Sequence, residues 1–198
     1  ITARDMSILA YHIVNDLPEM LEYTKQAHTT IMPGTPYEQS YDNYNTSLEG
    51  GKFELKGTDG LKTGSSPTAD YNYTATTKRG KQRIIEVILG VGNYEVEIAE
   101  SYRNQIGNAL AEKMFADYQY KKVLSAGQHT IDGKTVDLKQ DFYATVKKGT
   151  NPAIKLENNR LVVQNGLKQV SPSIKPGVAV SESKATTSSS KSKGLDVM

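Results

Sequence analysis

The sequence predicts part of an α/β (α+β) domain, built from an antiparallel sheet and a covering helix and followed by a small all-β domain. Three observations support this class. Apolar residues repeat at helical spacing near the amino terminus and again after residue 93. Runs rich in tyrosine, threonine and β-branched residues lie between them, and further short strand patterns follow residue 120. The predicted domains are residues 1–120, residues 121–170 and a flexible Ser/Lys-rich linker at 171–198.

The amino-terminal segment is predicted to form two helices. In the helix from Thr2 to Asn15, Thr2 is the expected N-cap and Asp5 lies at the third helical position. Pro18 then favours the start of a short second helix that extends through Tyr23. The first helix carries an apolar stripe formed by Met6, Leu9, Ala10, Ile13 and Val14.

Residues 29–54 change to short extended pieces broken by prolines and glycines. Tyr37, Tyr41 and Tyr44 cluster in this segment. Half-buried strand and loop aromatics are the favoured interpretation of this cluster, and a platform for a ligand is the less favoured one.

A β-hairpin and a long helix are predicted next. Residues 71–77 and 83–89 form two strands that look central in a sheet, and a basic turn at 78–81 joins them. Asn93 is the expected N-cap of the helix. Its apolar stripe should cover the sheet and consists of Val96, Ala99, Ile106, Ala109, Leu110, Met114 and Phe115.

The segment after Tyr120 is predicted to be an all-β unit. Asp132-Gly133 and Asn158-Asn159 are turn signals between its strands. From Ser171 onward the composition predicts a flexible linker that cannot bury enough surface to fold. The strand candidates are Lys122–Leu124, His129–Ile131, Thr135–Leu138, Phe142–Val146, Ile154–Leu156 and Leu161–Val163.

The composition excludes several kinds of function. Because 24 basic and 22 acidic side chains give a net charge of only +2, residues 1–175 show no compositional support for nucleic-acid binding. Cysteine is absent, which excludes disulfides and cysteine metal sites. His12, His28 and His129 show no ligand spacing, so we expect no metal and no cofactor.

A Lys-Thr-Gly tripeptide, Lys62-Thr63-Gly64, is the most informative motif of the chain. It follows a predicted turn at 58–60 and should begin the strand beside the hairpin. On an edge strand, the cation and the hydroxyl can face a substrate carboxylate, and glycine lets the substrate backbone approach closely. The alternative is a surface strand end with a solvated lysine.

A serine nucleophile of the S-x-x-K type is missing upstream of Lys62. The three S-x-x-K matches begin at Ser181, Ser188 and Ser190, in a tail that cannot hold a serine rigidly beside its base. Residue 1 is Ile rather than Met and almost directly precedes a helix. We therefore expect the carboxy-terminal piece of a longer enzyme, which would also explain the missing signal peptide.

Taken together, these residues resemble the low-molecular-mass penicillin-binding proteins of the D-alanyl-D-alanine carboxypeptidase family, and most of all a staphylococcal penicillin-binding protein 4-like branch. The similarity covers residues 1 to about 140, and its most specific part is the block from Thr58 to Ser65. The other matching residues are Thr2-Ala3-Arg4-Asp5-Met6, Ser47-Leu48-Glu49-Gly50, Tyr71-Asn72, Thr77-Lys78-Arg79-Gly80 and Gly107-Asn108-Ala109-Leu110.

The resemblance implies a transpeptidase/β-lactamase-like fold and a serine peptidase that acts on peptidoglycan stem peptides ending in D-Ala-D-Ala and binds β-lactam antibiotics. It implies that Lys62 supplies positive potential, that Thr63 binds the terminal carboxylate, and that Gly64 keeps the strand open. The backbone N–H of Ser65 would form half of the oxyanion hole. We expect a role in cell-wall synthesis and cell shape at the extracytoplasmic face of a Gram-positive membrane, with an anchor beyond residue 198.

Two other functions stay open at this point. A class A β-lactamase shares the Lys-Thr-Gly motif, but it should end soon after the long helix, and the unit at 121–170 argues against it. A non-catalytic cell-wall binding or scaffold protein could keep the fold without the chemistry. In either case the 198 residues alone should be inert, because the nucleophile and its lysine are absent.

Overall fold

A computed structural model of the chain describes residues 1–96 and 98–182. They form three α-helices, a 3₁₀ turn at Pro18–Met20, and strands that all pair antiparallel where the register is defined. The predicted mixture of helices and antiparallel strands is confirmed. The elements are α1 (Ala3–Asp16), α2 (Leu21–Thr24), β1 (His28–Ile31), β2 (Gln39–Asp42), β3 (Thr58–Ser66), β4 (Asp70–Arg79), β5 (Gln82–Val91), α3 (Ala99–Asp117), β6 (Tyr118–Leu124), β7 (Gly127–Ile131), β8 (Lys134–Leu138), β9 (Phe142–Lys147), β10 (Ile154–Glu157), β11 (Arg160–Val163), β12 (Val178–Ala179) and β13 (Ser181–Glu182).

Helix α1 begins with the predicted cap. The Thr2 hydroxyl accepts a hydrogen bond from the Asp5 backbone N–H at 3.2 Å, and the Asp5 carboxylate accepts one from the Thr2 N–H at 2.9 Å. This reciprocal capping box satisfies two backbone donors that the first turn leaves open. The predicted second helix is confirmed as the 3₁₀ turn followed by α2.

The central sheet has the strand order β3-β4-β5. The predicted hairpin is confirmed, and Gly80, with a φ of 59°, occupies its turn. Of the two strands predicted to be central, β4 is central, whereas β5 lies at an edge among the described strands. The prediction that Lys62 begins a strand is wrong. Pairing with β4 already starts at Thr58, and the predicted turn is a register shift between Thr58 and Gly60 within β3.

Helices α1 and α3 pack on opposite faces of this sheet. Ile85 of β5 packs against the apolar cluster of α1, whereas a Cβ atom on Gly107 of α3 would lie 3.2 Å from the Glu86 carboxylate. Successive strand residues point to opposite faces of a sheet. Ile85 and Glu86 therefore lie on opposite faces, and so do the two helices that they contact. The buried residues of the α1 cluster are Ala10, Val14, Leu21 and Leu61.

Helix α3 differs from its prediction in its start and its buried face. It begins at Ala99 rather than after an Asn93 cap, although the Asn93 side chain still accepts a bond from the Glu95 N–H at 2.9 Å. Most of the predicted apolar stripe is wrong, because Ile106 and Leu110 are 43% and 48% exposed and only Ala99 of the stripe is buried. The other buried residues of α3 are Arg103, Asn104, Gly107 and Ala111.

Close packing explains why a small residue faces the sheet. A Cβ atom on Gly107 would lie 2.5 Å from the Tyr73 ring, so no larger residue fits there without a shift. Helix α3 therefore packs its face of small and polar residues against the sheet, and its larger apolar side chains lie on the other face.

The described residues divide into two compact units. Unit 1 comprises Ile1–Tyr120 with Thr145–Thr150 and Lys168–Lys175, and unit 2 comprises Lys121–Ala144, Asn151–Leu167 and the described residues from Pro176. The functional domain boundaries given above stay predictions.

All six strand candidates after residue 120 are confirmed as β6 to β11. Asp132 and Gly133, and likewise Asn158 and Asn159, adopt positive φ values between 49° and 75°, as tight hairpin turns require. The buried side chains of unit 2 are apolar and include Val136, Leu138, Phe142 and Leu161.

The predicted flexible stretch from Ser171 differs from the structure. Residues 178–179 pair with β11 and residues 181–182 pair with β8. These strands are only two residues long, so they carry no sequence periodicity that could reveal them. The rest of the predicted linker and the S-x-x-K matches at Ser188 and Ser190 lie outside the described residues. Within residues 1–96 and 98–182, no helix is long and apolar enough to cross a membrane.

Candidate active site

The four predicted site residues lie together on β3 and line one open groove of about 530 Å³. Lys62, Gly64 and Ser65 are exposed, whereas Thr63 is 5% exposed. The Lys62 ammonium donates to the Thr63 carbonyl at 2.5 Å. A Cβ atom on Gly64 would meet nothing within 4 Å, so any side chain there would project into open space. The strand therefore presents the Lys62 ammonium and an unobstructed backbone at Gly64 to the groove.

Three contacts from neighbouring elements hold the start of β3. Arg83 of β5 makes a two-pronged ion pair with Asp59, at 2.7 and 2.8 Å. The Asn45 side chain donates to the Gly60 carbonyl at 3.2 Å, just before the Lys-Thr-Gly tripeptide. The Thr58 hydroxyl lies 3.0 Å from the Thr77 hydroxyl of β4. Such bidentate and buried polar contacts fix the geometry of a strand that has no described partner along its other edge.

A buried polar cluster connects the 45–47 loop to α3. The Asn104 side chain donates to the Ser47 hydroxyl at 3.0 Å and to the side-chain amide oxygen of Asn45 at 3.4 Å. All three residues are at most 1% exposed. Because unsatisfied buried amides are costly, these hydrogen bonds fix the position of the loop that supports β3.

Arg103 is a groove residue that sequence reasoning missed. Its side chain is 2% exposed, pairs with Glu100 at 2.7 Å, and donates to the Gly64 carbonyl at 3.4 Å. Its guanidinium lies 5.5 Å from the centre of the Tyr71 ring. The sequence signal that could have identified Arg103 is its position four residues before Gly107. Residues at this spacing lie on the same face of a helix, so both face the sheet.

Aromatic residues form another wall of the groove. Tyr71 and Tyr94 stack with ring centres 5.7 Å apart, and the Tyr71 hydroxyl donates to the Tyr94 carbonyl at 3.2 Å. Asp70 accepts a bond from the Tyr94 N–H at 3.0 Å, which orders the chain before α3. Tyr44 and the carboxylates of Glu95 and Glu100 complete the lining.

Two ionisable groups lie buried beneath the groove, between the sheet and α3. Tyr73 is fully buried and Glu86 is 6% exposed. Burial raises the pKa of Tyr73, and it raises the pKa of Glu86 from its usual 4.5 to about 7 despite a hydrogen bond from Thr77. Among the described residues, neither the Tyr73 hydroxyl nor one Glu86 carboxylate oxygen has a hydrogen-bond partner.

The described residues do not bring a nucleophile of the S-x-x-K type to the groove. Ser181 lies in β13 of unit 2, and the rest of the tail is outside the described residues. The histidines contact other groups: His12 pairs with Asp16 and His28 with Asp42, while His129 contacts a backbone carbonyl. Within residues 1–96 and 98–182, no group of three or more His, Asp or Glu side chains could hold a metal ion.

The prediction for the tyrosine cluster is wrong. Tyr37, Tyr41 and Tyr44 are 71%, 51% and 72% exposed rather than half-buried. The β1–β2 hairpin carries no buried residue, so its aromatic side chains face solvent.

The fold is shared with solved penicillin-binding proteins. A peptidoglycan synthesis regulatory factor (PBP3) from Streptococcus pneumoniae superposes with a TM-score of 0.67 at 18% identity, over 93% of this chain and 55% of that one. Penicillin binding protein 5 from Haemophilus influenzae superposes with a TM-score of 0.54 at 20% identity, over 90% of this chain and 53% of that one. The chain thus shares the fold of these penicillin-binding proteins and carries the Lys-Thr-Gly groove on it.

The family follows from the sequence comparisons. Residues 1–93 match the model of the D-alanyl-D-alanine carboxypeptidase family, and residues 120–181 match a domain of unknown function (DUF1958). Through its first 93 residues the chain belongs to the D-alanyl-D-alanine carboxypeptidase family.

Curated relatives agree with this assignment. The D-alanyl-D-alanine carboxypeptidase DacA of Haemophilus influenzae is 30% identical over 164 residues, which cover 78% of this chain. DacA of Escherichia coli K12 is 26% identical over 157 residues, or 75% of this chain. The chain spans 38% and 36% of the length of these two relatives.

Proposed function

We propose that this chain carries the strand that binds the substrate carboxylate in a serine-type D-alanyl-D-alanine carboxypeptidase or transpeptidase. The observation that carries the proposal is the Lys62-Thr63-Gly64-Ser65 segment, which lines an open groove in a chain of the carboxypeptidase family. The substrate would be a peptidoglycan stem peptide ending in D-Ala-D-Ala, and β-lactams would occupy the same groove.

Each residue of the segment has a proposed role. Lys62 supplies positive potential at the groove, and the Thr63 hydroxyl binds the terminal carboxylate. Gly64 leaves room for the substrate backbone, and the Ser65 N–H stabilises the developing oxyanion. Arg103 supports this arrangement, because its guanidinium contacts the Gly64 carbonyl.

The proposed reaction needs a serine and a lysine base that precede the Lys-Thr-Gly strand and are not found in residues 1–61 as an S-x-x-K motif. The serine oxygen would attack the carbonyl between the two D-alanines, forming an acyl-enzyme ester and releasing the terminal D-Ala. Water would then hydrolyse the ester, or the amine of a second stem peptide would displace the serine. The 198 residues alone are therefore expected to be inert.

The proposed location is the extracytoplasmic side of the cell membrane, in contact with the cell wall. A Gram-positive origin and an anchor beyond residue 198 are part of this proposal. The two relatives described above come from Haemophilus influenzae and Escherichia coli, so they give no support to the Gram-positive origin.

Fluorescent-penicillin labelling tests the proposal. We expect label on the full gene product and none on the 198-residue chain. In the full gene product, Lys62→Ala should slow acylation about 100-fold or more, the size of effect that follows loss of one electrostatic group at an acyl-transfer site. Lys78→Ala, at the exposed hairpin turn, is the matched control and should label normally.

Two outcomes would contradict the proposal. Unchanged acylation of Lys62→Ala would remove the role assigned to Lys62. Absence of label on the full gene product would favour the non-catalytic scaffold instead, which keeps the groove without covalent chemistry. A class A β-lactamase would be labelled only briefly, because it hydrolyses the acyl-enzyme rapidly.

A further inference from the structure

The exposed tyrosines of the β1–β2 region are not used by the proposed reaction. Tyr41 and Tyr44 leave 51% and 72% of their surface exposed in a segment that the fold holds in place. Large aromatic surfaces in water give the fold no stability, whereas at a binding site they supply contact area with few rotatable bonds.

The backbone on both sides of Tyr44 is anchored. The Asn43 side chain donates to the Thr24 and Gln26 carbonyls at 3.3 and 3.2 Å. The Asn45 side chain is bound to Gly60 of β3 and to Asn104 of α3. Tyr44 is therefore an exposed ring on a fixed support rather than the tip of a free loop.

Tyr41 is also restrained. It lies on β2, where Thr29 of β1 is its cross-strand partner, and its hydroxyl donates to the Gln39 side chain. This hydrogen bond limits rotation of the side chain while most of the ring stays accessible.

Both rings line a second cleft of about 810 Å³. Tyr44 and Glu100 line this cleft and also the Lys-Thr-Gly groove, so the two depressions adjoin. A substrate whose peptide end occupies the groove can therefore extend into the second cleft. The aromatic and apolar residues of the second cleft are Tyr41, Tyr44, Phe53 and Ile98.

The charged side chains of the second cleft already have partners within the protein. Asp42 is hydrogen-bonded to His28 at 2.8 Å, Glu100 pairs with Arg103, and the Lys52 ammonium lies 5.3 Å from the centre of the Phe53 ring. A strongly charged ligand would have to compete with these contacts. The uncharged polar residues of the cleft are Ser40, Asn43, Thr46, Ser101 and Asn104. Several of them already bond within the protein, but a hydroxyl or amide oxygen can accept more than one hydrogen bond.

We propose that the second cleft binds an N-acetylated sugar of the glycan strand to which the stem peptide is attached. Tyrosine faces can stack on the apolar C–H face of a sugar ring, while hydroxyls and amides can bond its hydroxyl and acetamido groups. A neutral, polar ligand with apolar faces matches this surface better than a charged peptide does. The inference rests on the proposed function, because it extends the substrate from the peptide to its sugar.

The test compares two substrates on the full gene product: a free pentapeptide ending in D-Ala-D-Ala, and the same pentapeptide linked to its N-acetylated disaccharide. We expect kcat/KM about tenfold higher for the linked substrate, a preference equivalent to about 1.4 kcal/mol. Tyr41→Ala should bring the ratio of the two values close to one. Tyr37→Ala removes a tyrosine that is 71% exposed but lines neither cleft, and it should keep the preference.

A second readout does not depend on catalysis. Binding of the disaccharide alone, followed by saturation-transfer NMR, should be weakened in Tyr41→Ala and retained in Tyr37→Ala. Circular dichroism of both variants checks that they fold. Equal kcat/KM for the two substrates in the wild type, or a preference that Tyr41→Ala leaves intact, would overturn the inference.

The two proposals can fail separately. Penicillin labelling without any sugar preference would leave the peptidase standing and remove the sugar site. Disaccharide binding that depends on Tyr41, in a protein that penicillin does not label, would support the sugar site and remove the peptidase.

Discussion

The two units of the molecule bury different kinds of side chain. Between its sheet and α3, unit 1 buries polar residues that include Asn45, Ser47, Thr77, Glu86 and Asn104. The buried residues of unit 2 are Val136, Leu138, Phe142, Leu161 and Val163. A polar layer adds little net stability, but its hydrogen bonds are directional and fix positions. An apolar layer adds stability and fixes positions less strictly.

This difference matches what each layer supports. In unit 1, the polar layer lies beneath β3 and determines where Gly60 and the residues that follow it are held. Among the described residues, the buried side chains of unit 2 are apolar and offer no hydrogen-bonding groups to one another. Substitutions that remove apolar volume should therefore cost most in unit 2, whereas those that remove hydrogen bonds should disturb the position of β3 in unit 1.

The largest expected effect is in the apolar layer. Leu161 is fully buried, so Leu161→Ala should lower the free energy of unfolding of unit 2 by about 2–5 kcal/mol, through lost burial and a residual cavity. Leu161→Met conserves the volume and should cost less than about 1.5 kcal/mol. Urea unfolding followed by circular dichroism measures both. Equal losses for the two variants would mean that shape rather than volume governs this layer.

A smaller loss is expected in the polar layer. Asn104→Leu keeps the approximate volume but removes both donors to Ser47 and Asn45, which should cost about 1–3 kcal/mol and slow penicillin acylation. Gln105→Leu, on the exposed part of the same helix, is the matched control and should change stability by less than about 0.5 kcal/mol. A stable Asn104→Leu variant with normal acylation would show that the polar layer does not position β3.

The last expected effect depends on pH. Burial raises the pKa of Glu86 to about 7, so the folded state holds this proton more tightly than the unfolded chain does. The associated stability is complete below pH 4.5 and is lost as the pH rises through 7.

Glu86→Gln keeps the size of the side chain and its ability to accept a hydrogen bond, but it removes the ionisable carboxyl group. It should match the wild type near pH 4.5 and exceed its stability by up to about 3 kcal/mol at pH 8. Thermal unfolding across this range measures the difference. A constant offset between the two proteins at all pH values would contradict the assignment.

Sequence reasoning succeeded where local rules decide the structure. The Thr2 cap depends on a serine/threonine-type side chain and a carboxylate three residues later, and both lie within one helical turn. The turns at Asp132-Gly133 and Asn158-Asn159 depend on residues that tolerate positive φ. The Lys-Thr-Gly strand was likewise visible as a motif, although its position within β3 was not.

Sequence reasoning failed where tertiary packing overrides the local apolar periodicity. The apolar periodicity of α3 pointed to Ile106 and Leu110, but Tyr73 and Glu86 on the sheet accept only Gly107 and its polar neighbours. Arg103 was missed for the same reason, since a buried arginine on a face of small and polar residues cannot be distinguished from a solvated one without the fold. The exposure of Tyr41 could not be predicted either, because no rule of local sequence decides whether a strand tyrosine is buried.

The irregular segment between β2 and β3 has a consequence for amide hydrogen exchange. It contains no strand or helix, yet the Phe53 and Leu55 N–H groups bond the Thr46 and Ser47 carbonyls, both at 2.9 Å, and Leu55 is 5% exposed. Loops usually exchange their amide protons rapidly, whereas these two amides should exchange as slowly as those of the central strand β4. Their protection would report, residue by residue, any opening of the support beneath the Lys-Thr-Gly strand.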